Sequence, residues 1–385
     1  MKGRRYPLGI QTFKNVIKGN YVYVDKTDLI YELVHENKYC FLSRPRRFGK
    51  SLLVTTLQAY FEGKKNLFKG LAIDRMETEW ISYPVLHFDI SKGKYYSLSN
   101  LMSTLNVVIS PYEEFYNLTP DKSDDFNVRI INIIKAAKQQ TGKNVVVLID
   151  EYDSPMHDSM KDEKLQEQIR DIMRNFFSPL KSEEDNLQFV FMTGISKFSQ
   201  LSIFSELNNI TNISMEDEYS GICGISKEEL LEDFHDDIED LAKAQNMTFD
   251  EAVAQLKFHY DGYHFSGNGA DMFNPYSLLN TFRLNKFNSY WFSTGTPTFL
   301  IELLKQKGID MLQMEDIWTN SDRFDTPTKK ITDPIPVLYQ SGYLTIKDYI
   351  DMADSYKLAF PNEEVRKGFS NSLFRYYAPD GMDDR

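Results

Sequence analysis

Residues 39–51 (YCFLSRPRRFGKS) join a short apolar run to a loop that contains a glycine, a lysine and a serine in succession. In the pattern G-x-x-x-x-G-K-S/T, backbone N–H groups surround phosphates, the lysine reaches the β and γ phosphates, and the hydroxyl binds Mg²⁺. Gly49, Lys50 and Ser51 match the end of this pattern, whereas Arg44 stands in place of the first glycine. Leucines then recur at helical spacing. The segment therefore predicts a phosphate-binding loop between a strand and a helix.

The whole loop is expected to contact a nucleotide. The predicted contact residues are Arg44, Pro45, Arg46, Arg47, Phe48, Gly49, Lys50, Ser51 and Leu52. The arginines add positive charge that favours phosphate, and the alternative interpretation is a solvated basic loop or a patch that contacts RNA. The arginine at position 44 leaves the shape of the loop open, because glycine often serves a backbone angle that arginine reaches only at a cost.

A second motif, residues 145–155 (VVVLIDEYDSP), ends a strongly β-branched run with Asp150 and Glu151. Ligands of a parallel sheet gather at the carboxyl ends of its strands. We expect Asp150 to hold Mg²⁺ together with Ser51, and Glu151 to act as the general base that polarises the attacking water. The alternative is a helix start, in which Asp153 and its neighbours supply only a cap and first-turn charges.

The first half of the chain alternates short apolar runs with helical patterns, which is typical of a parallel sheet with crossover helices. Strands are predicted at residues 39–42, 85–90, 144–149, 188–192 and 210–214. A strand between the two motifs and a glutamate directly after the aspartate indicate the additional-strand (ASCE/AAA-like) class of P-loop NTPases. Thr193, at the end of the fourth strand, would sense the γ-phosphate; alternatively, it only ends the strand.

At 385 residues the chain is predicted to hold several packed units. Residues 1–222 are expected to form the ATPase core, residues 223–290 a helical lid that begins with a capping box at Ser226, and residues 291–360 a winged-helix-like segment. Within the last segment, helices are predicted at residues 298–304 and 335–339, and the two strands of a hairpin at residues 344–346 and 356–360. Residues 361–385 are expected to form an amphipathic helix. Its apolar stripe is expected to be uncovered and to dock on a partner chain, and consists of Val365, Phe369, Leu373 and Tyr377.

Composition and charge exclude some classes of protein. The net charge of −12 argues against a protein that coats nucleic acid over its whole surface. Because no run reaches the roughly 18 apolar residues of a membrane span and the N-terminus has no apolar signal core, we expect a soluble cytoplasmic protein. Cys40 and Cys223 are expected to be buried free thiols. The histidines lack an HxxxH spacing and no CxxC is present, so neither zinc nor iron is supported.

Further motifs support these expectations. They are YPLGIQTF (6–13), YVDKT (23–27), FMTGISKFS (191–199), YDGYHFS (260–266), FNPYSLLN (273–280) and YWFSTGTPTFLIELL (290–304). With the two motifs above, they make the chain resemble, over nearly its whole length, the AAA-ATPase-like family of bacteria and archaea. The resemblance implies an ATPase core, a helical lid and a winged-helix-like segment, usually followed by a PD-(D/E)XK nuclease-like domain. By this resemblance residues 361–385 would be an amphipathic linker helix toward a missing C-terminal domain, on which their apolar stripe could also dock. It also implies that arginine at position 44 is the family's own form of the loop, and that residues 9–13 and 23–27 lie near the nucleotide base.

The leading functional interpretation is a Mg²⁺-dependent switch or motor module that binds ATP or ADP and hydrolyses the β–γ phosphoanhydride. Its catalytic residues would be Glu151, Lys50 and Thr193, and its partner a protein or an attached nuclease-like domain. One alternative is a nucleotide-bound interaction protein with little turnover. Another is a DNA-binding regulator that acts through the winged-helix-like segment, whose basic residues are Lys329, Lys330, Lys347 and Lys357.

Overall fold

A parallel sheet forms the centre of the N-terminal half. A computed structural model describes residues 4–119, 125–197, 210–294, 304, 314–324 and 333–377. The strands of this sheet are β1 (Tyr39–Ser43), β2 (Val85–Asp89), β3 (Val145–Asp150), β4 (Leu187–Gly194) and β5 (Thr211–Asn212). They lie in the order β2-β3-β4-β1-β5, and each neighbouring pair is parallel. The predicted strands are confirmed, with small shifts at their ends.

Helices cover both faces of this sheet. They are α1 (Phe13–Lys18), α2 (Thr27–Glu36), α3 (Lys50–Phe61), α4 (Ile73–Met76), α5 (Leu98–Phe115), α6 (Phe126–Thr141), α7 (Ser154–Asp158), α8 (Glu163–Phe177) and α9 (Pro179–Ser182). Leu42 and Leu148 pack with apolar residues of α1, α2 and α3, whereas Phe41 and Val147 pack with those of α5, α6 and α8. Successive side chains of a strand point to opposite faces, so a sheet covered on both sides needs strands that are apolar at every position. Among the described helices, none combines the length and the apolar character that crossing a membrane requires.

The strand order separates the two motifs in space. β4 lies between β1, which leads into the loop, and β3, which ends in the acidic pair. In the register of these strands Leu42 is opposite Thr193, and Ile149 is opposite Met192. The carboxyl ends of all three strands therefore meet at one edge of the sheet, and the predicted α/β architecture with a parallel sheet is confirmed.

A helical cluster follows the sheet. It contains α10 (Lys227–Asp233), α11 (His235–Gln245), α12 (Phe249–Tyr260) and α13 (Pro275–Leu284). The predicted capping box is confirmed: the Ser226 backbone N–H donates to Glu229 Oε2 (2.7 Å), and the Glu229 N–H donates to Ser226 Oγ (3.2 Å). Leu8 and Val24 from the N-terminal segment pack on the apolar core of these helices. The cluster therefore follows the parallel sheet in sequence and also packs against the start of the chain. Its role as a lid stays a prediction.

A second sheet lies near the C-terminus. Its strands are β6 (Ile317–Thr319), β7 (Thr345–Ile350) and β8 (Ser355–Ala359), in the antiparallel order β6-β8-β7, and the helices before the hairpin are α14 (Ser321–Phe324) and α15 (Pro334–Gln340). The hairpin and α15 confirm the predicted elements. β6 was not predicted, because three residues are too short to show a periodic pattern. The helix predicted at residues 298–304 lies outside the described residues except for Leu304, and the winged-helix-like assignment stays a prediction.

The last helix corrects one expectation. In α16 (Glu363–Tyr377), Val365 and Phe369 are 0% exposed and Leu373 is 6% exposed. The Phe369 ring lies 5.4 Å from that of Tyr343, so the apolar stripe packs against the chain's own core. The expectation of an uncovered stripe is therefore wrong for these three residues, and the side chain of Tyr377 lies outside the described part of the chain.

Two lysines of the DNA-binding interpretation, Lys347 and Lys357, are engaged within the protein. Lys347 Nζ donates to two backbone carbonyl oxygens, each at 2.8 Å, and burial lowers the pKa of this lysine. Lys357 Nζ pairs with Asp316 at 2.9 Å. Lys329 and Lys330 lie outside the described residues. The described lysines thus give no support to an interface with DNA phosphates.

Candidate functional site

The predicted phosphate-binding loop connects β1 to α3 at the carboxyl edge of the sheet. Lys50 is the first residue of α3, so the N–H groups of the first helical turn adjoin the loop and favour an anion. Gly49 has a left-handed φ of 100°, with open space where a Cβ would lie. Arg47 also has a positive φ, 69°, which is uncommon outside glycine. Arg44 is not among the residues with positive φ, which explains why the loop does not need glycine there.

An open cleft of about 430 Å³ lies against this loop. Its lining consists of residues 7–11, Arg46, Arg47, Gly49, Lys50, Ser51, Leu52, Glu151, Ile195, Pro275, Tyr276 and Leu279. The structure therefore brings the loop and the glutamate of the second motif to one cavity, although about a hundred residues separate them in sequence. A wall from α13 closes another side of the cleft.

Lys50 is held in the cleft by the second motif. Its Nζ lies 3.5 Å from Glu151 Oε1 and donates to the Pro45 carbonyl oxygen at 3.3 Å. The Lys50 side chain is 3% exposed and that of Glu151 is 21% exposed. A largely buried ammonium group that lines a cleft attracts anionic ligands more strongly than an exposed one, because solvent screens it less.

Asp150 is buried, and its Oδ1 has no hydrogen-bond partner. Burial raises the pKa of Asp150 to about 7; a hydrogen bond from Ser51 and the charge of Lys50 act in the opposite direction, while Glu151 adds to the rise. A buried carboxylate is costly unless it is paired or bound to a cation. Carboxylate and hydroxyl oxygens are the hard donors that Mg²⁺ prefers. The residues present therefore fit a Mg²⁺ ion held by Ser51 and Asp150.

Glu151 directly follows β3 and has a left-handed φ of 53°. Such a conformation costs a non-glycine residue on the order of 1–3 kcal/mol and tends to occur at functional sites. The next residue is anchored, since the Tyr152 N–H donates to the Thr193 carbonyl oxygen at 3.1 Å. The glutamate thus turns out of the strand into the cleft lining, as the base assignment requires.

Asp153 does not act as the helix cap that the alternative interpretation required. It precedes α7, yet its side chain makes no capping hydrogen bond. Asp153 Oδ2 instead accepts from the backbone N–H groups of Ile195 (3.0 Å) and Ser196 (2.7 Å), and lies 2.9 Å from His157 Nε2. This buried carboxylate fastens the segment after β4 to the segment after β3.

Arg44 does not face the cleft, which corrects its predicted role as a phosphate ligand. The side chain is 1% exposed, and its guanidinium donates to the carbonyl oxygens of Ser43, Ser214 and Tyr219 at 2.9, 2.8 and 3.2 Å. Its backbone N–H donates to the Gly194 carbonyl oxygen. Ser43 and Gly194 end β1 and β4, whereas Ser214 and Tyr219 lie in the segment after β5, so Arg44 supports the fold of the loop from behind.

Thr193 is likewise turned away from the cleft. It is fully buried, and its hydroxyl donates to the Leu42 carbonyl oxygen of the neighbouring strand at 2.7 Å. Ile195, which directly follows β4, lines the cleft, and its side chain cannot form hydrogen bonds. The arrangement corrects the prediction that Thr193 senses the γ-phosphate and favours the alternative of a threonine that ends a strand.

The other loop residues divide between cleft and core. Arg46 and Arg47 line the cleft, and the Arg47 guanidinium lies 5.0 Å from the ring centroid of Tyr276. Phe48 is 1% exposed and packs its ring 4.7 Å from that of Tyr263. Phe48 therefore does not line this cleft, whereas both arginines do.

The contribution of the C-terminal half was missed by the sequence analysis. Pro275, Tyr276 and Leu279 form one wall of the cleft, and they belong to the FNPYSLLN motif of residues 273–280. The Asn-Pro start of α13 predicts a helix N-terminus, but nothing in the motif shows which cavity the helix adjoins. The motif could be recognised in the sequence, but the cleft that it lines could not.

A second cavity of about 110 Å³ adjoins the cleft at Gly49 and Leu52. It is mainly apolar, and Tyr23, Val24 and Lys26 line it, as does Cys223. The resemblance placed residues 9–13 and 23–27 near a nucleotide base; the structure brings residues 9–11 to the cleft and part of 23–27 to this cavity.

Cys40 and Cys223 are buried free thiols, as predicted.

The loop also contacts a turn of the C-terminal half at Gly342, and the closeness of this contact predicts how a substitution there affects stability. Gly342 has a φ of 83°, and an added Cβ would lie 2.6 Å from Pro45 Cβ. We expect Gly342→Ala to lower the free energy of unfolding by roughly 2–4 kcal/mol, from backbone strain plus the overlap. Chemical denaturation measures this change.

The matched control is Gly70→Ala. Gly70 has a similar φ of 86° but open space around the Cβ position, so only backbone strain is expected, about 1–2 kcal/mol. Equal losses in the two variants would show that the contact with Pro45 contributes nothing.

Together, the fold and the site define a class of protein. The strand order β2-β3-β4-β1-β5, the glycine-lysine-serine segment at the start of α3 and the acidic pair at the end of β3 are those of a P-loop NTPase of the additional-strand class. The sequence profile of the AAA-ATPase-like family, described as Predicted AAA-ATPase, matches residues 7–204. The chain belongs to this family.

Two individual proteins are similar to the chain. An uncharacterized protein in the vnfD 5' region of Azotobacter chroococcum mcd 1 is 33% identical over 385 residues, which cover 99% of this chain and 72% of the relative. The crystal structure of Cdc6p from Pyrobaculum aerophilum has 10% sequence identity and a TM-score of 0.26, with 98% of this chain and 96% of that chain covered.

Proposed function

We propose that the protein binds ATP with Mg²⁺ in the cleft and hydrolyses the β–γ phosphoanhydride, as a switch or motor module. The observation that carries the proposal is the buried Asp150 carboxylate, whose Oδ1 lacks a partner, beside the Ser51 hydroxyl. Lys50 and Glu151 line the adjacent cleft as an ion pair. A cation site, a phosphate-binding cation and a carboxylate base together are the parts that phosphoanhydride hydrolysis needs.

Each residue has a distinct role in this proposal. Lys50 and the first N–H groups of α3 bind the β and γ phosphates, and Arg46 and Arg47 add positive charge at the cleft wall. Ser51 and Asp150 would hold Mg²⁺, which when bound neutralises the charge on the phosphate oxygens. Glu151 orients a water molecule and accepts its proton. The nucleoside base would occupy the apolar cavity that adjoins Gly49 and Leu52.

Binding with little turnover is the second candidate. It is favoured by one observation: the hydroxyl of Thr193 is bound to a strand carbonyl, so the predicted γ-phosphate sensor does not reach the cleft. Catalysis would then depend on Glu151 without help from the end of β4. Single-turnover phosphate release, measured beside calorimetric ATP binding on the same protein, separates the candidates. Binding without release supports an interaction protein that uses nucleotide as a ligand.

The metal assignment is tested with Asp150→Asn. In the parent we expect Mg²⁺ to tighten ATP binding, and in the variant we expect this gain to shrink by roughly 10- to 100-fold, because the carboxylate that orients the water shell of the ion is gone. Calorimetric titration of ATP with and without Mg²⁺ measures the gain.

Asp171→Asn is the control for this test. Asp171 lies on α8, its side chain is 75% exposed and it does not line the cleft, so its replacement should leave the Mg²⁺ dependence intact. The same Mg²⁺ gain in Asp150→Asn and the parent would reject the metal assignment. A parent protein that binds no ATP under either condition would reject the proposed function itself.

A further inference from the structure

One loop residue is held by an aromatic side chain from the C-terminal half. The indole Nε1–H of Trp291 donates to the Arg46 carbonyl oxygen at 2.9 Å. The Arg46 guanidinium lies 5.1 Å from the centroid of the same indole ring, and its Nη2 donates to the Tyr343 hydroxyl oxygen at 3.3 Å. Both the backbone and the side chain of Arg46 are therefore bound by residues about 250–300 positions away in sequence.

Trp291 is itself fixed from behind. It is fully buried, and its backbone N–H donates to Glu364 Oε1 at 2.7 Å. The other oxygen of this buried carboxylate accepts from Ser277 Oγ at 2.7 Å, which links the start of α16 to α13. The indole is thus anchored through a hydrogen-bonded carboxylate, and such an anchor limits the positions that its N–H group can take.

The position of Arg46 in the loop gives these contacts their significance. It directly precedes Arg47, whose left-handed backbone is strained, and it lines the cleft against which phosphates would bind. An N–H donor on the Arg46 carbonyl holds the peptide that enters this strained turn. A ring beneath the guanidinium keeps the planar cation at the cleft wall.

We propose that Trp291 is a positioning residue of the nucleotide site: without touching ATP, it holds Arg46 and the adjoining turn in the shape that receives the phosphates. Tyr343 assists by accepting from the guanidinium. The inference rests on the proposed function, and it adds that the C-terminal half determines the affinity of the loop for nucleotide.

The test uses two conservative variants of the full chain. Trp291→Phe removes the indole N–H and keeps an aromatic ring, and Tyr343→Phe removes only the hydroxyl. The loss of one hydrogen bond is expected to raise the Kd and KM for Mg·ATP by about 3- to 10-fold in each variant, with a smaller change in kcat. The control, Trp318→Phe, changes a 43% exposed tryptophan on β6 and should leave all three quantities unchanged.

A double-mutant cycle measures whether Arg46 and Tyr343 act together on ATP affinity, which a purely structural role of Tyr343 would not require. In an Arg46→Ala background, Tyr343→Phe should cause no further loss of ATP affinity, because its partner is already gone. If both Phe variants bind ATP as the parent does, whatever their unfolding midpoints, the proposal is overturned. Should Trp291→Phe fail to fold, Tyr343→Phe and the cycle decide alone. A parent that binds no ATP removes the proposed function, and this inference with it.

Discussion

Lys50→Ala should lower the rate of ATP hydrolysis by about 10²- to 10³-fold, the usual effect of losing one preorganised group that stabilises developing charge. ATP binding should weaken as well, because the ammonium group meets the β and γ phosphates in the ground state too. The structure supports a large effect, since the Lys50 side chain is 3% exposed and lies in the cleft against Glu151. Calorimetric binding and phosphate release measure the two losses separately.

Lys38→Ala is a matched control for this prediction. Lys38 immediately precedes β1 and therefore lies at the opposite end of that strand from the loop, where its side chain is 44% exposed. Its removal should change neither binding nor turnover. A Lys50→Ala protein that binds and hydrolyses ATP like the parent would show that the loop is not a nucleotide site.

Glu151→Gln should separate binding from turnover. The amide keeps the size of the side chain but cannot accept the proton of the attacking water, so hydrolysis should fall by roughly 10²- to 10⁴-fold. ATP should still bind with Mg²⁺, and at least as tightly as in the parent, because the neutral side chain no longer pairs with Lys50. The variant should therefore retain unhydrolysed ATP, which chromatography of the bound nucleotide would detect.

Glu114→Gln, an exposed change on α5, serves as the control and should hydrolyse ATP at the parent rate. If Glu151→Gln is as fast as the parent, Glu151 is not the base. If the parent binds ATP but releases no phosphate, the interaction-protein interpretation replaces the enzyme.

Much of the central sheet could be predicted from local sequence. The run before Asp150 is apolar at every position, and only a strand covered on both faces requires such a run, as β3 shows. Gly49, Lys50 and Ser51 lie where the loop after a short strand passes into a helix, so their meeting with Asp150 at one sheet edge follows from parallel topology. These features depend on neighbours in sequence or on a rule that holds for all parallel sheets.

The corrected expectations all depend on contacts between distant segments. The charge of Arg44 suggested a phosphate ligand, but its guanidinium donates to the carbonyl oxygen of the neighbouring Ser43 and to two carbonyl oxygens in the segment after β5. The stripe at Val365 and Phe369 was recognised as apolar, yet periodicity identifies a face and not what covers it. Thr193 was placed correctly at a strand end, while the direction of its hydroxyl was set by the neighbouring strand.

The contacts between the loop and the C-terminal half bear on what counts as a minimal unit. The family profile ends at residue 204, yet Pro45 meets Gly342, Arg46 meets Trp291 and Phe48 meets Tyr263. A fragment cut at residue 222 would lack these C-terminal residues, so the side of the loop that they cover would face water. It would also lack the wall of the cleft that α13 forms. The smallest piece of this chain that contains a whole site therefore extends through Tyr343, and a boundary drawn at the end of the family profile would divide it.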